Sequence, residues 1–264
     1  MRPLNIAVCV KPVPDPKQSA NLRIDPATKT LVRQGIPLVI NPLDKHALEA
    51  AVSLKEAAGG GKVAVFSMAP PAAEQTLAEA LAMGADEAFL LSDLSFAGGD
   101  TLATARVLAA GLRKVGTWDL VICGAESFDG GTAQVGPQLA VLLGMSWVTR
   151  VTRLIRESDE QLAVTVEDEV EQRDLEIQLP AVITVEHAVN QPRKLSLMGI
   201  LAARNKKVVV YNAEDLAVEK SAVGLKGSPT QTRDLFAPQE ERQCEFLSGT
   251  PQEIAAALLD KLGW

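Results

Sequence analysis

The sequence predicts an α/β protein with a doubly wound, mostly parallel β-sheet, an antiparallel extension and a C-terminal arm. Three observations favour this fold class. Before Trp147, short apolar runs alternate with helical segments through short loops, which is typical of right-handed βαβ units. After Trp147, longer segments are typical of antiparallel strands. From Asn190 onward few apolar runs remain, so this part of the chain cannot bury a core alone.

The first half of the chain provides the predicted parallel strands and their helices. Residues 4–10 are expected to form the first, central strand. A small hairpin with an Asp25-Pro26 turn is expected within 21–40, and a helix begins after Asn41 as N-cap, with Pro42 at its first position. The other predicted strands are 63–68, 88–91 and 120–123, and the other predicted helices are 71–83, 100–115 and 133–143.

The second half is predicted to extend the sheet and then to leave it. Antiparallel strands are expected at 148–155, 162–167 and 174–179, and an apolar strand at 182–185. A basic helix-like run, a glycine–proline loop and a closing helix at 252–262 follow. We therefore divide the chain into an α/β domain, 1–189, and an arm, 190–264, that packs on another chain or subdomain.

Composition restricts the classes of function. The 264 residues suffice for one large domain or two small ones, and a net charge of −7 and 4% aromatic residues argue against nucleic acid as partner. Three widely spaced cysteines favour a reducing cytoplasm over a disulfide framework or a zinc site. The chain opens directly into a strand, and no apolar run approaches the ~20 residues of a membrane span. A soluble, cytoplasmic protein without a signal peptide or membrane span is expected.

The stretch 123–137 is the main candidate site. An apolar strand leads into a polar loop with Gly124, Gly130 and Gly131, and a helix is expected from about Thr132. A strand, a glycine loop and a helix N-terminus direct free N–H groups and a positive dipole at one place, which favours an anion such as phosphate. The loop matches neither the P-loop nor G-x-G-x-x-G, so a purely structural turn is the alternative.

Other loops are expected at the same edge of the sheet. The carboxyl ends of parallel strands place 9–11, 67–70 and the loop after Gly124 together, which predicts one nucleotide-sized pocket. A second glycine loop, 97–101, is explained most simply by Asp100 as a helix cap.

No set of catalytic side chains accompanies this pocket in the sequence. His46 and His187 are the only histidines, and we expect them on opposite sides of the fold in structural or surface roles. Neither belongs to a carboxylate pair, a Ser-His-Asp set or a metal-ligand spacing. This argues against hydrolase or ligase chemistry and favours a bound cofactor that does the chemistry itself.

Residues 194–201 place apolar side chains beside a basic cluster at 204–207. One interpretation is an amphipathic helix packed on its own core. The other is a docking loop, with an apolar anchor for a partner's pocket and charges for steering.

Several ordered segments carry a resemblance to a known family. They are 8–11, 41–44, 80–86, 129–137 and 179–185, and 190–193 runs on towards Leu197 as a further match. Together they resemble the beta subunit of electron transfer flavoprotein over essentially the whole chain. The resemblance implies a Rossmann-like fold of the adenine nucleotide alpha hydrolase type.

The resemblance also implies partners and contacts. It implies a heterodimer with an alpha subunit whose FAD docks with dehydrogenases, and an adenine nucleotide in the beta subunit itself. It further implies that Leu197 anchors a partner dehydrogenase and that Glu169 helps to hold the mobile flavin domain. The implied nucleotide contacts are Cys9, Asn41, Pro42, Leu43, Asp44, Met68, Gly124, Ala125, Glu126, Ser127, Asp129, Gly130, Gly131, Thr132, Ala133, Gln134, Val135 and Gly136.

Two versions of the family differ in the nucleotide. Respiratory members hold structural AMP, whereas bifurcating and nitrogen-fixation-linked members resemble a site for a second FAD that takes a hydride from NADH. Segments 99–105 and 224–230 are similar to the second version, which puts Asp100, Thr101 and Thr104 near the flavin phosphates. The loop 126–131 departs from the family's acidic-Gly-acidic pattern, because it has one acid fewer and no basic residue just upstream. The resemblance therefore leaves open whether the nucleotide is FAD or AMP.

The chain is accordingly predicted to be an electron carrier, with an NADH-oxidising flavin site in the bifurcating version. The implied partners are the alpha subunit, an acyl-CoA or related dehydrogenase, and a quinone oxidoreductase, ferredoxin or flavodoxin as acceptor. The alternative within the family is structural AMP, with electron transfer only through the FAD of the alpha subunit. The alternative from another class is a stand-alone nucleotide-dependent ligase or a nucleotide-sensing protein.

Overall fold

The computed structural model describes residues 2–21, 23–24, 31–32, 35–168, 170–233 and 244–263. Two predictions fall outside this part of the chain. They are the Asp25-Pro26 turn and the role of Glu169.

The strands and helices follow one another as the alternating pattern predicts. The strands are β1 (Leu4–Cys9), β2 (Pro12–Pro14), β3 (Arg23–Ile24), β4 (Leu31–Val32), β5 (Leu38–Ile40), β6 (Gly61–Met68), β7 (Glu87–Leu91), β8 (Leu120–Gly124), β9 (Ser146–Arg156), β10 (Gln161–Glu167), β11 (Gln172–Gln178), β12 (Ala181–Val185) and β13 (Val208–Tyr211). The α-helices are α1 (Pro42–Ala57), α2 (Glu74–Ala82), α3 (Thr101–Val115), α4 (Val135–Leu143), α5 (Leu197–Ala203) and α6 (Pro251–Leu262).

The main sheet has nine strands in the order β11-β10-β9-β12-β8-β1-β6-β7-β13. Neighbouring strands from β9 through β13 in this order pair parallel, and β9, β10 and β11 pair antiparallel. β1 lies between β6 and β8, so the strand order reverses there. The predicted doubly wound α/β class with an antiparallel extension is confirmed, and so is the central position of the first strand.

The two faces of the sheet bury separate apolar cores because successive strand residues point to opposite sides. Ile6 and Val8 of β1 pack with α1 and α2, through side chains such as Leu48 and Leu77. Ala7 and Cys9 of the same strand pack on the other face, with α3 and α4. Since both faces are covered, the inner strands are continuous apolar runs rather than alternating ones.

α4 begins later than the sequence predicts. The helix was expected from about Thr132, but its first residue is Val135. Gly131 and Ala133 have φ angles of 56° and 54°, in the left-handed region, which a right-handed helix cannot contain. The loop before α4 is therefore longer, and the helix N-terminus moves with it.

The predicted arm contributes a strand that the sequence did not predict. β13 pairs parallel with β7, with Val208 opposite Ala88, and so forms one edge of the main sheet. Four apolar residues beside a basic cluster are too short a signal to distinguish an edge strand from a helix end. Within the described ranges, no helix is long and apolar enough to cross a membrane.

Candidate functional site

The candidate site lies where the strand order reverses. β1 and β8 are neighbours and end side by side, with Cys9 opposite Cys123. In doubly wound sheets, ligands bind in the crevice beyond these carboxyl ends. The segment after β1 and the glycine loop after β8 both start at this point, and the first turn of α1 packs between them.

Asp44 of α1 joins the two strand ends. Its Oδ2 accepts a hydrogen bond from the Lys11 backbone N–H at 2.7 Å, and its Oδ1 accepts one from the Gly124 N–H at 3.0 Å. The side chain is buried, and burial raises the pKa of Asp44 to about 6, although these N–H donors favour the charged form. The Asp44 carboxylate, as the acceptor of both N–H groups, thus joins the ends of β1 and β8.

Asn41 fixes the glycine loop itself. Its Nδ2 donates to the Glu126 carbonyl and its Oδ1 accepts from the Phe128 N–H, both at 2.9 Å. Asn41 is the N-cap of α1 as predicted, with Pro42 at N1, but its side chain makes no capping bond to the helix. The polar atoms of Asn41 and Asp44 thus hold the pocket wall in position, and Leu43 packs closely against Gly124.

Lys11, in the segment that follows β1, also contacts the glycine loop. Its ammonium group donates to Ser127 Oγ at 3.1 Å and forms an ion pair with Asp129 Oδ1 at 2.5 Å. Residues 9–11 were expected at this edge of the sheet, but no role in the site was predicted for the Lys11 side chain. The basic residue that the loop lacks in sequence is thus supplied by a distant segment.

The N-terminus of α4 is the strongest anion-binding feature of the site. Gln134 is its N-cap and makes no side-chain capping bond. Among the described residues, nothing accepts a hydrogen bond from the N–H groups of Val135 or Gly136. A Cβ at Gly136 would collide with the Thr184 side chain, so the backbone lies close to β12. These free donors and the helix dipole favour a negative group.

The N-terminus of α3 is capped instead. Asp100 Oδ1 accepts from the Ala103 N–H at 2.9 Å, and Oδ2 accepts from the Thr230 N–H at 3.0 Å and from its hydroxyl at 2.6 Å. Ser228 Oγ accepts from the Asp100 N–H at 2.8 Å. The structure thus brings 224–230 onto the start of α3, and Asp100 acts as a helix cap.

Thr101 connects α3 to the start of α4. Its hydroxyl donates to Gln134 Oε1 at 2.9 Å and accepts from Gln138 Nε2 at 3.1 Å. Thr104 lies one turn further along α3 and is half-buried. Thr101 therefore lies beside the anion cradle, which we define as the loop 124–134 with the first turn of α4.

Cys9 and Met68 lie at the ends of β1 and β6. The Cys9 thiol is buried beside Cys123, and a hydrogen bond with Cys123 together with burial raises its pKa well above the ordinary value. A thiol in this state is a poor nucleophile. Met68 is half-buried against the same core.

The two histidines are in contact, so the prediction that they lie on opposite sides of the fold is wrong. His187 Nδ1 is 3.3 Å from His46 Nε2, and His46 Nδ1 is 3.1 Å from the Asn190 carbonyl oxygen. The contact arises because β12 lies beside β8, and the turn after β12 returns over α1. It fixes the beginning of the segment that leads to α5.

Leu197 begins α5, whose N-cap Ser196 accepts from the Gly199 N–H at 3.0 Å. Gly199 approaches the Ala82 carbonyl of α2 so closely that a Cβ would not fit. The other side of this short helix is open, and Leu197 and Met198 are 72% and 75% exposed. Of the two interpretations of 194–201, packing on the chain's own core does not account for these side chains.

The fold and the crevice define a doubly wound α/β protein with an anion cradle at the switch point of its sheet. A family model described as the electron transfer flavoprotein domain matches residues 28–216. The chain belongs to the electron transfer flavoprotein family. Members of this family are flavoproteins that transfer electrons, and their beta subunits pair with an alpha subunit.

Curated relatives match almost the whole chain. The electron transfer flavoprotein subunit beta of Thermoanaerobacterium thermosaccharolyticum is 46% identical over 261 residues, 98% of each chain. Subunit CarD of the caffeyl-CoA reductase-Etf complex of Acetobacterium woodii is 43% identical over 260 residues, 98% of each chain. Protein FixA of Bradyrhizobium diazoefficiens is 41% identical over 262 residues, 97% of this chain and 90% of the relative. The predicted resemblance to beta subunits is confirmed.

Proposed function

We propose that this chain is the beta subunit of a heterodimeric electron transfer flavoprotein and binds an adenine nucleotide in the anion cradle. The observation that carries the proposal is the uncapped N-terminus of α4, with the free N–H groups of Val135 and Gly136. Donors of this kind fit a phosphate, the group that AMP and FAD share. Cys9, Met68 and Ala125 would then line the apolar part of the pocket.

FAD is the favoured nucleotide. The segment 224–230 supports this, because Ser228 and Thr230 hold it against the start of α3, beside the cradle. The relatives named CarD and FixA also support the bifurcating and nitrogen-fixation-linked version. A bound FAD would supply hydride and single-electron chemistry, with NADH as donor, whereas AMP would be structural. The chain's own groups bind and orient the nucleotide.

The alpha subunit is the proposed partner of the arm. α6 carries a capping box, in which Thr250 and Glu253 exchange hydrogen bonds, so it is a well-formed helix. Its Leu258, Leu259 and Leu262 are nevertheless exposed. An apolar helix face of this kind fits the surface of another subunit. Glu169, which lies outside the described residues, stays the proposed contact of the mobile flavin domain.

The recognition segment, 190–201, is proposed to dock an acyl-CoA or related dehydrogenase, and a quinone oxidoreductase, ferredoxin or flavodoxin is the proposed acceptor. The segment is held on α1, because Arg193 pairs with Glu49 at 2.8 Å and with Glu56 at 2.8 Å. α5 therefore extends from a fixed base, with Leu197 at its exposed start. A rigid base lowers the entropy cost of docking.

Leu197→Ala tests this docking role. We expect the variant heterodimer to accept electrons from its dehydrogenase roughly tenfold more slowly at limiting concentration, because an exposed apolar anchor is lost. Bound nucleotide should be unchanged. Leu94→Ala is the matched control, since Leu94 is 96% exposed elsewhere on the molecule. Loss of nucleotide from Leu197→Ala, or equal effects of both variants, would contradict the docking role.

A stand-alone nucleotide-dependent ligase or nucleotide sensor is the competing function. Purification after co-expression with the alpha subunit separates the two. A yellow heterodimer supports the flavoprotein function, and a colourless monomer that cleaves ATP contradicts it.

A further inference from the structure

Arg106 of α3 holds the segment 222–230 of the arm against this helix. Its Nη1 donates to the Ala222 carbonyl at 3.1 Å and to the Gly227 carbonyl at 3.2 Å. These are the only side-chain hydrogen bonds of Arg106 among the described residues. Since 222 and 227 begin and end one tight turn of the chain, the guanidinium joins the two ends of that turn.

The turn is compact, and its backbone carbonyls need donors. Gly224 has a φ of 59°, and a Cβ there would collide with the Ser95 carbonyl. A Cβ at Gly227 would collide with the Ala222 backbone. Ser228 Oγ donates to the Gly224 carbonyl at 2.7 Å, and Arg106 supplies the donor for two further carbonyls. A carbonyl in such a turn that loses its partner is unfavourable, so Arg106 stabilises this conformation.

The same segment reaches the anion cradle through the first turn of α3. Thr230 donates to Asp100 Oδ2, and Ser228 Oγ accepts from the Asp100 N–H. The next residue, Thr101, donates to Gln134 Oε1 of the cradle at 2.9 Å. The segment is thus held on α3 at two places, by Asp100 and by Arg106, and forms a wall beside the cradle. A wall that is ordered before the ligand binds lowers the entropy cost of binding.

We propose that Arg106 is a positioning residue that makes this site prefer FAD over AMP. The inference rests on the proposed nucleotide binding and deepens it. AMP has one phosphate, which the cradle binds alone, whereas FAD has a second phosphate and a flavin that extend beyond the cradle. The segment 222–230 serves the longer ligand, and Arg106 holds this segment in its binding conformation. Arg106 therefore acts on FAD through the backbone of 222–227.

Titration with two ligands tests this role. The heterodimer is dialysed to release the nucleotide of this chain, under conditions that leave the FAD of the alpha subunit bound, and is titrated separately with FAD and AMP. We expect Arg106→Met to weaken FAD binding roughly tenfold, because the segment must then be ordered by the ligand. AMP binding should change by less than about twofold. Arg106→Lys keeps a donor for one carbonyl and should weaken FAD binding by no more than about threefold.

Arg113→Met is the matched control. Arg113 lies seven residues further along α3, and its guanidinium donates to the Leu142 carbonyl of α4. Both ligands should bind this variant as they bind the unaltered heterodimer. Unchanged FAD binding in Arg106→Met, equal losses of FAD and AMP, or equal losses of FAD binding in Arg106→Met and Arg113→Met would each overturn the proposal.

Amide hydrogen exchange gives a second readout that needs no ligand. The N–H groups of Leu225 and Gly227 donate to backbone carbonyls at 3.0 Å and 3.1 Å. Arg106→Met should accelerate their exchange, while exchange in β6 and β7 stays unchanged. Unchanged exchange in 222–228, or faster exchange throughout the sheet, overturns the proposal. Failure of the unaltered heterodimer to bind FAD instead contradicts the proposed FAD site, so the two failures are distinguishable.

Discussion

Asn41 and Asp44 were both expected to contact the nucleotide. Their polar atoms bind the backbone of Lys11, Gly124, Glu126 and Phe128, and their contact with a nucleotide stays a prediction. The resemblance of a motif predicts which residues lie at the pocket, but not which atoms their side chains bind. At the residue scale, these side chains build the pocket wall, and the free backbone N–H groups of α4 are the donors for the proposed nucleotide.

Asn41→Ala should destabilise the loop and, with it, the fold. Two hydrogen bonds are lost, and the Glu126 carbonyl and Phe128 N–H lose their partners at a mostly buried position. The free energy of unfolding should fall by about 2 kcal/mol, measured by urea denaturation. Asn212→Ala, in an exposed turn where Asn212 accepts from the Asp215 N–H, should cost less than about 1 kcal/mol. Equal losses in both variants would contradict the role of Asn41.

At the scale of elements, the helices and inner strands could be predicted because apolar periodicity and glycine stops mark them locally. The start of α4 could not be predicted, since nothing in Gly131-Thr132-Ala133 indicates that the Ala133 backbone adopts a left-handed conformation. β13 could not either, because its partner β7 is more than a hundred residues earlier in the chain. The position of the pocket at one edge of the sheet was predictable from the fold class. The contacts of Lys11 with Ser127 and Asp129, by contrast, depend on side-chain geometry.

The contact of the two histidines could not be predicted from local sequence patterns either. His46 and His187 are 141 residues apart, and only the placement of β12 beside β8 brings α1 and the following turn together. Burial, with the nearby His187, lowers the pKa of His46, although hydrogen bonds with Asn190 partly oppose this. The neutral ring is therefore the form that fits between the recognition segment and α1.

The pH dependence of stability follows from this shift. Because the folded-state pKa of His46 lies below the unfolded value near 6.5, the contribution of the neutral ring is present above pH 6.5 and is lost as the pH falls through the folded-state pKa. Unfolding of the unaltered chain and of His46→Gln should be compared by urea denaturation from pH 8 to 5. We expect the unaltered chain to lose stability relative to the variant below pH 6.5. Parallel curves would show that His46 contributes nothing to the pH dependence.

At the scale of the whole molecule, the proposed nucleotide site and the helices with exposed apolar side chains lie in different regions around one sheet. The proposed nucleotide site lies beyond the carboxyl ends of β1 and β8, whereas α5, beside α2, and α6, near the end of the arm, carry exposed apolar side chains. A subunit of this kind can hold a cofactor on the fixed sheet and offer separate surfaces to an alpha subunit and to a dehydrogenase. Substitutions in one region should therefore leave the other intact.

The central claim is that this chain holds a flavin nucleotide in the cradle before α4. It is tested most directly by acid denaturation of the co-expressed heterodimer, followed by separation and counting of the released nucleotides. We expect two FAD per heterodimer, one from each subunit. One FAD with one AMP would contradict a flavin in this chain, and a single FAD with no second nucleotide would contradict the nucleotide site itself.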